Sequence, residues 1–129
     1  MRKFTIHLIG SLAVIGLAYP TPALAAYPAL AVQTKTTRLP FTHCVSQTRR
    51  AAAQSGLAER TNFGDSTAGH TATARAHIMC VPLPNAGPCH TTGAQAVFIA
   101  ASTVSFDDAR VLADRMNRAF GNPQLIDCG

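Results

Sequence analysis

The chain has no tryptophan, and aromatic residues make up only 6% of it. A core without large rings buries little apolar area per residue, and alanine supplies much of the 47% hydrophobic fraction, so burial alone leaves a modest core. A dense basic run is also missing. The arginines are scattered from Arg38 to Arg118 with little aromatic interleaving, which excludes the concentrated patch of a nucleic-acid binder. No Cys-x-x-Cys pair occurs, which argues against thiol–disulfide exchange chemistry. Nor is there the run of roughly 20 apolar residues that a membrane span requires.

What is present begins with an export signal. Arg2 and Lys3 form a short cationic start, and an apolar run from Phe4 to Leu17 follows. Pro20 and Pro22 break any helix, and Ala23-Leu24-Ala25 supplies the small residues a signal peptidase reads. Residues 1–25 are therefore expected to be cleaved, leaving no stable membrane insertion. No cysteine lies at the cleavage site and Arg2-Lys3 is not a twin arginine, so the expected product is neither a lipoprotein nor a folded-export substrate. Loss of Arg2 and Lys3 lowers the formal charge from +5 to +3, a mildly basic solvated surface. The expected location is periplasmic or secreted.

Four cysteines follow the signal: Cys44, Cys80, Cys89 and Cys128. In an oxidising compartment they are expected to form two disulfides, each stabilising by roughly 2–4 kcal/mol. Four cysteines permit three pairings.

Residues 26–39 are rich in Ala, Thr and Pro and are expected as a flexible leader, with one domain over 40–129. Thr42 is placed to cap a first helix that Gly56 ends; Cys44, Val45, Thr48, Ala51, Ala52 and Ser55 share its small face. Residues 62–69 and 72–82 read as strands around a turn at His70-Thr71. Ala76, Ile78 and Cys80 alternate with His77, Met79 and Val81 in the second. Residues 83–94 read as a loop, and 95–102 as a third strand that is apolar on both faces. Ser105 caps a second helix, with Asp107 and Asp108 at its positive end. Its stripe is Ala109, Leu112, Ala113, Met116 and Phe120, an Asp114–Arg118 pair lies on its surface, and Gly121 and Pro123 end it. The expected fold is α+β: a two-layer α-β-β-β-α unit, with a three-stranded antiparallel meander and both helices on one face.

This layout resembles a group of small exported bacterial proteins, a domain of unknown function, in which a first-helix cysteine recurs with one late in the second strand. The matching residues are Cys44, Gly56, Phe63-Gly64-Asp65-Ser66 through Gly69, Ile78-Met79-Cys80, Val97-Phe98-Ile99-Ala100-Ala101 and the Ala109 to Phe120 stripe. The resemblance implies a Cys44–Cys80 disulfide and no activity. The chain departs from the group in a longer loop carrying Cys89 and a tail, 124–129, carrying Cys128. These departures suggest a Cys89–Cys128 bridge; the rival pairings are Cys44–Cys128 with Cys80–Cys89, and Cys44–Cys89 with Cys80–Cys128.

No motif fixes a reaction. His43-Cys44 and Cys89-His90, with His70 and His77 in reserve, are adjacent pairs rather than the two-to-four-residue spacing that zinc ligands prefer, so no metal or cofactor is expected. Gly64-Asp65-Ser66 echoes serine-hydrolase nucleophile blocks, but Ser66 is expected mid-strand, away from the strand-turn-helix bend that presents a nucleophile. Gly64 is read as a strand bulge or close contact. If Cys80 points towards the helices, Arg75, His77, Met79 and Val81 point away, with Ala96, Phe98 and Ala100 beside them. The candidate binding face is thus Arg75, His77, Met79 and Phe98. The expected function is a non-enzymatic exported binding or accessory domain, an inhibitor or a partner of an envelope or secreted protein. A second copy of the chain is a further candidate partner. The alternative is a metal-binding or hydrolytic protein using His70, His77, His90 and Ser66.

Overall fold

The alternation at Ala76, Ile78 and Cys80 produces the middle strand of a sheet. Residues 28–123 are described by the structure, a computed structural model. In chain order they form β1 (Ala29–Thr37), α1 (Phe41–Gln54), β2 (Ala58–Phe63), β3 (Ser66–His70), β4 (Ala74–Leu83), β5 (Gly93–Ser102) and α2 (Phe106–Phe120). A single 3-10 turn at Pro88–His90 interrupts the loop before β5. Every strand pair is antiparallel, in the order β1-β5-β4-β3-β2. The class is α+β, and the sheet has five strands where three were expected. The expected export signal at 1–25 and the tail cysteine Cys128 lie outside the described residues.

Two differences account for the extra strands. Residues 29–37, expected as part of a leader, form β1 and pair in unbroken register with β5, from Ala29 opposite Ser102 to Thr37 opposite Ala94. The stretch 62–69, expected as one strand, spans a hairpin instead. Phe63 lies opposite Ser66 across a turn at Gly64-Asp65. Gly64 is therefore a turn residue with open space around it, not a bulge or a close contact.

Small side chains let the helices lie close to the sheet. Ala76, Ile78 and Cys80 of β4 and Ala94, Ala96, Phe98 and Ala100 of β5 are buried, as are Ala51 and Ala52 of α1 and Ala109 and Ala113 of α2. Phe98 and Phe120 meet edge to face at 5.5 Å, the favoured geometry for two rings. The Cys44–Cys80 disulfide ties α1 to β4 across 36 residues of sequence. It fits an oxidising, extracytoplasmic location.

The helix ends are held by specific partners. Pro40, not Thr42, occupies the N-cap of α1, and no side chain caps it. Proline suits a helix start because it has no amide hydrogen to leave unpaired. After α1, Gly56 takes a φ of +76°, the left-handed conformation in which glycine meets no Cβ penalty. Ser105 caps α2 by accepting from the Asp108 amide at 3.0 Å. Asp114 pairs with Arg110 at 3.0 Å rather than with Arg118, and Arg110 bridges it to Asp107 at 2.7 Å.

β1 reaches the other end of α2. Lys35 Nζ donates to the carbonyls of Asn117 (3.1 Å) and Gly121 (2.9 Å), and Gln47 of α1 donates to that of Phe120 at 2.7 Å. These donors satisfy carbonyls that a helix C-terminus leaves open and place positive charge at its negative end. Burial pulls the Lys35 ammonium below its ordinary value. Gln33 donates to Asp114 and accepts from Asn117 at 2.9 Å. An edge strand of modest apolarity is thereby fixed to the helix layer.

Two predictions follow from these contacts. Replacing Cys44 and Cys80 together by Ser should lower unfolding free energy by ~3–4 kcal/mol, the chain-entropy value for a loop of this length, measured by urea denaturation. The second concerns Asp108, whose carboxyl is held below its ordinary value by hydrogen bonds from Ser102 and then Thr73, at 2.6 and 2.7 Å. A depressed folded-state value gives stability that is present above the unfolded-state value and lost as pH falls through the folded one. Stability of the wild-type chain should therefore decline on acidification below the ordinary 3.8, and Asp108→Asn should flatten that decline in denaturation series across acid pH.

Candidate functional site

Residues directly opposite one another in a sheet point to the same face. Met79 lies opposite Val97 and Ser66, and Ser66 opposite Phe63. His77 lies opposite Ile99 and Ala68, and Ile99 opposite Val32. Cys80 faces the helices, so these two rows face away from them, with Arg75 and Val81 at either end of β4.

Three of the four expected face residues, Arg75, His77 and Met79, thus share the open side. Phe98 does not. It lies opposite Ile78 and is fully buried against α2. The strand 93–102 is apolar on both sides, so its alternation does not show which set turns inward; the register does. Val97 and Ile99 take the place expected for Phe98.

The face also includes residues that the sequence reading left out. Leu30, Val32 and Phe63 are 56%, 53% and 52% exposed. In β1 the usual polarity is reversed, since Gln33 and Lys35 turn towards the helices while Leu30 and Val32 turn away. The signal was the alternation of small or polar residues with Leu30 and Val32 over 29–34, hidden by the composition of the surrounding segment.

At the centre of the face, Ser66 Oγ and His77 Nε2 are 2.7 Å apart, and the Phe63 ring meets His77 edge-on at 6.1 Å. This is the nucleophile–base contact of acyl-transfer chemistry. However, Ser66 is only 4% exposed, and among the described residues no carboxylate bonds His77. Ser66 opens β3 after the turn rather than sitting mid-strand. The carboxylate goes to the other histidine: Glu59 Oε2 lies 3.1 Å from His70 Nε2. The His70 imidazole is raised above its ordinary value by its contact with the Thr71 carbonyl and then by Glu59. His70, Glu59 and Arg75 line a cleft of ≈ 510 Å³ at one end of the face.

The adjacent histidine–cysteine pairs do not converge. Cys44 is consumed by its bridge to Cys80, and His43 and His90 are exposed on separate elements. Among the described residues no three His, Cys, Asp or Glu side chains gather in a metal-holding group. Cys89 is disulfide-bonded; the expected Cys89–Cys128 pairing involves a residue outside those described. Among the described residues no helix is long and apolar enough to cross a membrane.

Compared with protein-family models, curated proteins and solved structures, the chain matches none.

The two sides of the sheet should respond differently to truncation. Phe98→Ser should destabilise by about 3–5 kcal/mol, as large-to-small changes at buried rings do. Met79→Ser should change stability by less than about 1 kcal/mol. Urea unfolding of the two variants checks this, and equal losses would contradict the assignment of faces.

Proposed function

We propose that this chain is a small exported, non-catalytic binding domain, and that its open sheet face is the recognition surface. One observation supports this most: four of the seven exposed large apolar residues among those described, Leu30, Val32, Phe63 and Val81, lie on a single face together with half-buried Met79, Val97 and Ile99, while Val104, Phe106 and Val111 lie just before α2 or in its first half. Scattered apolar residues are ordinary on a protein surface, whereas a contiguous set marks an interaction site. The reversal in β1 strengthens the reading. A strand serving only to cover the core would turn Leu30 and Val32 inward.

The chemistry of the surface supports a protein partner. The apolar side chains call for a protein surface of similar character, and the cleft holding Glu59, His70 and Arg75 adds a charged corner. An inhibitor or an accessory subunit in the bacterial envelope would present such a face, with the disulfide keeping the scaffold intact outside the cytoplasm.

The Ser66–His77 contact favours a second reading, a hydrolase. It is weaker because Ser66 is buried and, among the described residues, no carboxylate orients His77. The contact is better explained as mutual satisfaction of two polar groups on an apolar surface, in keeping with the absence of unpartnered buried side-chain atoms among the described residues.

The test is comparative affinity purification of the oxidised chain from envelope extracts. A specific partner, whether a different protein or the chain itself, should be retained by wild type and by Arg110→Ala on the outer surface of α2. It should be depleted at least tenfold by the double variant Val32→Ser, Phe63→Ser, with both variants folded by circular dichroism. Equal retention by the double variant would refute the reading.

A further inference from the structure

The open face carries apolar side chains around the Ser66–His77 contact, and its charged groups, Arg75 with His70 and the Glu59 that bonds it, lie towards one end. We propose that its occupant is a second copy of this chain, packed face to face into a two-sheet sandwich dimer. This rests on the binding-face reading above and names the partner.

Area is the first argument. The five strands hold 9, 6, 5, 10 and 10 residues. At about 4.8 Å between strands and about 3.3 Å per residue, they tile roughly 640 Å². Two copies together would remove about 1,300 Å² from water, within the roughly 1,200–2,000 Å² of specific, stable interfaces. Packed sheets of this kind lie about 10 Å apart with strand directions within about 30°, a spacing that Val32, Met79, Val97 and Ile99 in the middle rows of the face suit.

Charge is the second. Arg75 and His70 lie opposite each other next to the turn between β3 and β4. Asp65 lies at the other end of β3, in the turn that precedes it. A two-fold axis running across the strands reverses strand direction between copies. It sets the Arg75 end of each sheet over the Asp65 end of the other and keeps the two Arg75 guanidiniums apart. The row Val32, Ile99, His77 then lies on the axis and meets its own counterpart, the self-complementary arrangement of a closed dimer.

The test is sedimentation velocity of the oxidised chain at micromolar concentrations, with Ile99→Glu and Val32→Glu as variants. The wild type should sediment at dimer mass, and each folded variant should show a twofold drop. Should Ile99→Glu fail to fold, Val32→Glu decides, since its site is more than half exposed. A wild-type monomer overturns the dimer, whether hydrogen exchange finds the face open or protected by residues 1–27, and whether or not the chain floats with lipid vesicles. A dimer that persists in both variants overturns it too, placing the contact on another surface. If the monomer still loses a different protein on Val32→Ser, Phe63→Ser, only the dimer falls and the binding face stands.

Discussion

The bridge between Cys44 and Cys80 is the contact on which the layered arrangement depends. It joins the first turns of α1 to the strand at the centre of the sheet, where burial is complete on the helix side. Around it the packing is made largely of alanine. Each alanine buries little area, so the transfer free energy gained per residue is small. What the small residues allow is proximity: a helix can settle close to an alanine-lined strand, and two cysteines can then meet. The covalent link and the small-residue core are thus complementary solutions to one shortage, the lack of large apolar side chains.

A second, polar set of contacts does for α2 what the bridge does for α1. Gln33 and Lys35 of β1 bind Asp114, Asn117 and Gly121, while Ser102 and Thr73 hold Asp108 near the opposite end. The helix is clamped at both termini by strands or turns of the sheet. Because β1 uses the inward positions of Gln33 and Lys35 for these polar contacts, only the small Ala31 packs into the core and the large Leu30 and Val32 face outward. The character of the open face is therefore a consequence of how the helix is anchored.

The parts of this fold that were legible in the sequence are those with local determinants. The second helix carries its own cap at Ser105, its acidic first turn and a regular stripe, so its limits and buried face could be read directly. β4 shows a clean alternation and was placed correctly. β1 was missed, because its short alternation over 29–34 is masked by the Ala-, Thr- and Pro-rich composition around it, and the contacts that fix it lie 81 to 86 positions away. The hairpin at Gly64-Asp65 was merged into one strand because β2 is exposed throughout and lacks an inside–outside alternation. Phe98 was assigned to the wrong face because Val97, Phe98 and Ile99 are all apolar, and only pairing with Ile78 settles which side each takes. The candidate site was thus half legible, its β4 half from alternation, while its β1, β2 and β5 contributions required the register.

The two margins of the sheet are not equivalent. Among the described residues β1 offers nine regular residues with an unbroken ladder behind it. β2 is irregular between Ala58 and Thr61 and carries Glu59 at a φ of +47°. Such an interruption spoils a strand as a template for addition. Propagation of a sheet from molecule to molecule needs two competent margins, one to receive and one to extend. With a single competent margin, strand addition between identical molecules can join two margins of the same kind and then has nowhere to continue. The irregularity in β2 therefore opposes propagation of the sheet from edge to edge, leaving association to the broad face rather than the margins.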